Sequence, residues 1–138
     1  MATDPAKSTD TAAGIVLFAH GARDARWAEP FERLADTLRS LRSAPRGGPV
    51  SGPVTLAFLE LMEPDLPTAV THQVAAGCTT VTIVPVFFGQ GGHVRQDLPV
   101  IVDQCRAAHP GIEIRCATPV GEDSAVIDAI AQYCLRQV

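Results

Sequence analysis

Apolar positions fall along the chain in two kinds of run, short continuous ones and longer stripes at helical spacing. Gly14-Ile15-Val16-Leu17-Phe18-Ala19 is a continuous run, the pattern of a strand buried on both faces. A helical stripe follows at Trp27, Phe31, Leu34, Ala35, Leu38 and Leu41, with charged residues between. Ala44 to Pro53 is rich in Pro and Gly and reads as a loop, longer than a minimal connection. Val54 to Leu59 predicts the second strand, and Leu66, Ala69, Val70 and Val74 a second helix that stops at Gly77. Thr80 to Phe87 is β-branched and apolar, giving a third strand, and Phe88 to Gly92 a glycine-rich loop. The third stripe is Leu98, Ile101, Val102, Cys105 and Ala108, with Asp97 placed as its N-cap. Ile112 to Ala117 predicts the fourth strand, Pro119 to Asp123 a turn, and Val126, Ile127, Ile130, Ala131 and Cys134 the stripe of a last helix.

The order βαβαβαβα predicts an α/β fold: a four-stranded parallel sheet in a three-layer, flavodoxin-like α/β/α sandwich. Met1 to Ala13 is polar and small and is expected to be disordered, leaving 14–138 as one domain. In such sheets ligands bind outside the carboxyl ends of the strands, near the point where strand order reverses.

Four loops leave that edge. The first begins His20-Gly21-Ala22-Arg23, the second begins at Glu60, the third runs Gly89-Gln90-Gly91-Gly92-His93-Val94-Arg95, and the fourth is Thr118-Pro119-Val120-Gly121. Two imidazoles and a carboxylate therefore reach one edge from three strands. That set suits a divalent transition metal, and equally proton transfer near neutral pH. Taken singly, each residue has a plainer reading, His20 and His93 as structural histidines and Glu60 as a solvated loop charge. His72 lies off its helix stripe and is expected in solvent, and His109 sits in the last turn of a helix, where a cation meets the dipole favourably. The glycine loop lacks the G-K-[ST] ending of a P-loop and does not spell G-x-G-x-x-G. Its glycines, Gly91 and Gly92 among them, instead let the backbone approach a bulky flat ligand. Hydrolase readings fare worse still, because no G-x-S-x-G elbow occurs and no Cys is expected at a strand's carboxyl end beside a His.

Composition narrows the partners. The chain has 138 residues and a formal net charge of −4, so no cationic excess exists to displace counterions from nucleic acid. Aromatic residues make up 5%, too few for base-stacking platforms. No run approaches the ~18 apolar residues of a membrane span, and the N-terminus has no apolar signal region. The four cysteines, Cys78, Cys105, Cys116 and Cys134, show no C-x-x-C spacing and fall in apolar runs. They are expected to be reduced core residues of a cytoplasmic protein.

At these residues the chain resembles the small class II chelatases of the sirohydrochlorin type, the short CbiX-like cobaltochelatases and their ferrochelatase relatives. The resemblance is carried by Ala19-His20-Gly21-Ala22-Arg23, Ala57-Phe58-Leu59-Glu60, Val84-Pro85-Val86-Phe87-Phe88, Gly92-His93 with Asp97-Leu98-Pro99, and Ala117-Thr118-Pro119-Val120-Gly121. It covers the chain from about Gly14 to the end, in order. It implies a chelatase fold and ATP-independent insertion of Co²⁺, Fe²⁺ or Ni²⁺ into sirohydrochlorin, in cobalamin or siroheme-type biosynthesis. It implies that His20 and His93 handle the metal and accept protons, with Glu60 as acidic partner. It implies no tightly bound cofactor, the divalent metal being a substrate, and a homodimer of the short form. Arg23 and Arg95, in the two histidine loops, can clamp the carboxylates of the macrocycle bidentately, or else face solvent. Many relatives read H-G-S-R where this chain has Ala22, so the hydroxyl of that loop is missing.

Two other readings stay open on the residues. A non-catalytic metal or tetrapyrrole carrier would use the same histidines for binding alone. A small anion-binding regulatory domain would rest on the glycine loop and would not need His20. Residue types do not name the metal, because Co²⁺ and Ni²⁺ both accept N and O ligands.

Overall fold

A computed structural model describes residues 13–43, 52–89 and 91–138, without the side chain of His93. The N-terminal segment up to residue 12 and residues 44–51 of the predicted loop lie outside the described residues. Four strands, β1 (Ala13–Ala19), β2 (Val54–Phe58), β3 (Thr80–Pro85) and β4 (Glu113–Cys116), alternate with four helices. The helices are α1 (Glu29–Arg42), α2 (Leu66–Ala75), α3 (Gly92–Ala108) and α4 (Ser124–Leu135), with short 3₁₀ turns at Ala25–Ala28 and Val120–Glu122. The alternation is the one expected from the apolar pattern.

The sheet is parallel throughout, in the order β2-β1-β3-β4. Ile15 pairs with Val54 and Ala19 with Phe58 on one side of β1, and Phe18 pairs with Pro85 on the other. The strands thus end nearly level, and the residues that follow them emerge side by side. From β1 the chain crosses to β2 in one direction, then returns past β1 to β3 and on to β4, so the order reverses between β1 and β3. Right-handed crossovers then require α1 on one face and α2 with α3 on the other.

The core follows that division. Val16, Phe18, Ile83 and Ile114 meet Leu66 and Val70 of α2 and Leu98 and Val102 of α3. On the opposite face Leu17 and Val54 meet Ala35 of α1. Val16, Phe18, Val81 and Ile83 are completely buried, each such side chain stabilising the fold by roughly 1.5–3 kcal/mol. The buried Gln73 of α2 donates from Nε2 to the Ile15 carbonyl at 2.9 Å and to Thr55 Oγ1 at 3.0 Å, tying α2 to two strands.

Three expectations need correction. Asp97 does not cap a helix: α3 starts earlier, at Gly92 with Gly91 as its N-cap, and Asp97 lies inside it. The cysteines are not all core residues, because Cys78 and Cys105 are buried while Cys116 and Cys134 are exposed. Cys116 ends the edge strand β4, and Cys134 lies on α4, where no residue is buried despite the apolar stripe. The last helix touches the body chiefly through the Val120–Glu122 turn, so it does not complete a layer of its own chain. No helix among the described residues is long and apolar enough to cross a membrane.

Candidate functional site

The site is assembled by continuing the strand ladder beyond the strands themselves. The Val86 N–H donates to the Phe18 carbonyl at 2.7 Å, the Leu59 N–H to Ala19 at 2.9 Å, and the Glu60 N–H to His20 at 3.1 Å. The backbones of His20 and Glu60 are therefore fixed to each other. Gly21 turns the chain away at once, with φ of +95°. A Cβ at Gly21 would run into the Glu60 carbonyl oxygen, so this close crossing demands glycine. Leu61, next to Glu60, also has a positive φ of 68°, a conformation that strains a branched residue by about 1–3 kcal/mol. The loop returns by donating the Phe58 N–H to Pro64 at 2.9 Å, and Asp65 then caps α2 by accepting the Thr68 N–H at 2.9 Å. Those hydrogen bonds hold the Asp65 carboxyl below the ordinary carboxylate range.

The His20 imidazole is half-buried and lies against the buried ring of Phe87, with centroids 4.4 Å apart and planes 33° from parallel. Among the described residues no group hydrogen-bonds to its ring nitrogens, and the stacking on Phe87 is the contact that orients it. The cleft in front has a volume of about 480 Å³ and is lined by His20, Leu59, Glu60, Gly91, Gly92, Val94 and Asp97. It sits at the β1/β3 reversal, where this class of sheet binds ligands. A hollow of about 660 Å³ beside α1 and the β2 edge is larger but holds no imidazole.

His20, Glu60, Gly91 and Gly92 are thus brought together as the sequence suggested. His93 stands in the first turn of α3 between Gly92 and Val94, two residues that line the same cleft. Arg23 and Arg95 are exposed and do not line it, and neither is paired with a carboxylate among the described residues. A Cβ at Gly91 or Gly92 would meet nothing within 4 Å, so packing within this chain does not require glycine at either place. The two residues leave open space over the cleft.

Asp97 was missed as a site residue. It brings a second carboxylate to the cleft, and its spacing of one helical turn from His93 is the unused signal in the sequence. Phe87 was missed as the support of His20, and its neighbour Phe88, 68% exposed at the same edge, is the ring of the pair that the core does not take. His72 is exposed, as expected. His109 is the C-cap of α3 and lies 3.2 Å from Thr71 Oγ1, joining two helices rather than serving the cleft.

A family model described as CbiX matches residues 14–136. A protein of Sulfolobus acidocaldarius named sirohydrochlorin cobaltochelatase is 28% identical over 119 residues, 86% of this chain and 87% of that protein. Its namesake from Saccharolobus solfataricus is 27% identical over 125 residues, 86% of this chain and 91% of that protein. Among solved structures, a putative cobalamin (vitamin B12) biosynthesis CbiX protein of Marinobacter aquaeolei superposes with a TM-score of 0.73 at 34% identity, over 91% of this chain and 96% of that one. The sirohydrochlorin chelatase SirB of Bacillus subtilis subspecies spizizenii, solved in complex with cobalt, superposes with a TM-score of 0.69 at 26% identity, over 87% of this chain and 48% of that one. This chain spans about half the length of that Bacillus protein.

Proposed function

This chain belongs to the CbiX family, and we propose on that footing that it inserts a divalent metal, Co²⁺, Fe²⁺ or Ni²⁺, into sirohydrochlorin without ATP. It is a metal chelatase, a lyase by reaction class. The observation that carries the reading is the meeting of His20, Glu60 and the first turn of α3 in one cleft at the reversal of strand order.

Insertion of M²⁺ into a free-base macrocycle releases two pyrrole protons, so the site needs a labile resting place for the metal and a base. A neutral imidazole performs either task near pH 7. We assign both tasks jointly to His20 and His93. Phe87 holds the His20 ring by its face, which leaves a nitrogen free to meet the metal or a pyrrole N–H. Glu60 and Asp97 attract the hydrated cation and carry protons outward to solvent. Nitrogen and oxygen donors hold a first-row dication less firmly than thiolates do, which favours release into the ring. The glycines at 91 and 92 leave room for the flat macrocycle, and Arg23 and Arg95 supply cations for its carboxylates.

In this reading the protein works in the cytoplasm, where its four free thiols stay reduced. It serves the cobalamin or siroheme branch and pairs with a second copy of itself. The test is turnover. Metal-free protein at a few per cent of the sirohydrochlorin concentration, given Co²⁺ anaerobically, is expected to consume the free-base bands completely and faster than the uncatalysed control. A spectral change that stops at one equivalent per protein would mean a carrier and would remove the enzyme assignment.

A further inference from the structure

The cleft takes one of its walls from helix α3, and that helix has two unequal parts. Its cleft-lining residues, Gly92, Val94 and Asp97, all lie in its first two turns, as does His93. Those turns have little of their own to hold them as a helix. Gly91 gives no side-chain cap, the first turn has no acidic residue, and Gly92 is a poor helix former. The buried side chains of Val94 and Leu98 fasten them, with the Arg95 N–H donated to the Gly91 carbonyl at 3.0 Å. The later turns are tied to the sheet as well: Val102 and Cys105 are buried, and Arg106 Nε donates to the Ile114 carbonyl at 3.0 Å.

Pro99 stands at the junction of the two parts, inside the helix. It has no N–H, so the Arg95 carbonyl four residues back receives no hydrogen bond from it, and the proline ring crowds that carbonyl. No residue is less favourable in a helix interior. Burial does not offset that cost, because Pro99 is exposed.

The crowding has a direction. Arg95 and Pro99 share one flank of the helix, and Asp97 lies about 160° around the axis from both. Position 93 lies on the same side as position 97, one turn earlier. A helix forced open along the Arg95–Pro99 flank bends towards the opposite one. That is the flank of positions 93 and 97, and Asp97 lines the cleft.

We propose that Pro99 is a positioning residue for metal insertion: it leans the first two turns of α3 towards the wall formed by His20 and Glu60, and so sets the reach of His93 and Asp97. The local instability of a proline within the helix is then the means by which two elements meet at one metal. The inference deepens the function proposed above and rests on it.

The experiment compares Pro99→Ala with the wild type. Alanine supplies the missing N–H to the Arg95 carbonyl and lets α3 straighten. The melting temperature is expected to rise by several degrees, and amide exchange over 92–98 to slow about ten-fold. Over the same change kcat for Co²⁺ insertion is expected to fall about ten-fold, with the KM for sirohydrochlorin within about two-fold. Val100→Ala is the control. Val100 is the next residue and is 55% exposed, and alanine there favours the helix without touching the Arg95 carbonyl. It is expected to keep the wild-type kcat. A more stable Pro99→Ala with unchanged kcat would overturn the proposal, because the proline would then be a tolerated defect. A less stable Pro99→Ala, or an equal loss of kcat in Val100→Ala, would overturn it too. Absence of turnover in the wild type would remove the chelatase reading and this inference with it, and the wild type alone shows that.

Discussion

The imidazole of His20 rests on the ring of Phe87, 4.4 Å between centroids, and this stacking is the contact that aims it into the cleft. Leucine keeps most of the volume of phenylalanine but offers no flat face. Phe87→Leu is therefore expected to cost under about 1.5 kcal/mol of stability. Loosening the imidazole is expected to lower kcat by about 10- to 100-fold with little change in the KM for sirohydrochlorin. Steady-state kinetics beside thermal unfolding check both halves, and a stability loss with unchanged kcat would show that the stacking is only packing.

Glu60 is fixed by its backbone to His20 while its exposed carboxylate borders the cleft. Glu60→Gln keeps the shape and removes the charge. It is expected to reduce kcat/KM for the metal by about 10²-fold or more, with the fold intact. Initial rates across a metal titration measure this, and wild-type rates would place Glu60 outside the reaction.

The glycines divide into two kinds, and alanine separates them. Gly21 has a positive φ and lies against the Glu60 carbonyl, so Gly21→Ala is expected to destabilise by more than about 1 kcal/mol. Gly91, with φ of −75°, and Gly92 are open, so alanine at either leaves the melting temperature within a few degrees. What alanine at 91 or 92 is expected to change is the affinity for the macrocycle, weakened several-fold in an equilibrium titration of the metal-free protein.

Asp65 gives the acid limb of the stability profile a specific source. Its carboxyl is held below the ordinary range by the Thr68 hydrogen bonds. Its contribution is thus complete above the unfolded pKa, near 3.9, and is lost as pH falls through the lower folded value. Asp65→Asn still caps α2 but no longer titrates. Denaturation midpoints below about pH 4 are expected to fall less steeply in the variant than in the wild type.

Much of this architecture was legible from the chain. The strands at Ile15–Ala19, Val54–Phe58 and Thr80–Pro85 announce themselves as apolar runs, because a parallel strand covered on both faces has no polar side to show. His20 and Glu60 were legible for a related reason: they are the first polar residues after two such runs, and neighbouring parallel strands end level. The start of α3 was not, because its first turn, Gly92-His93-Val94-Arg95, has glycine where a helix former is expected. Asp97 was accordingly misread as a cap. The stripe on α4 was read as a buried face, yet none of its residues is buried, because periodicity alone does not say whether a surface lies opposite the stripe. The support given by Phe87 to His20 spans two strands and has no signature in either.

The account rests on one cleft edge carrying both metal and proton, and the direct measurement is the initial rate of metal insertion by wild type, His20→Ala and His93→Ala. Each would be mixed anaerobically with sirohydrochlorin and Co²⁺, Fe²⁺ or Ni²⁺ in turn. The wild type is expected to turn over with at least one of the three metals, and each substitution to lower that rate by about 10²-fold or more while the circular dichroism spectrum is unchanged. Turnover that survives both substitutions would contradict the account, because the reaction would then lie elsewhere on the molecule.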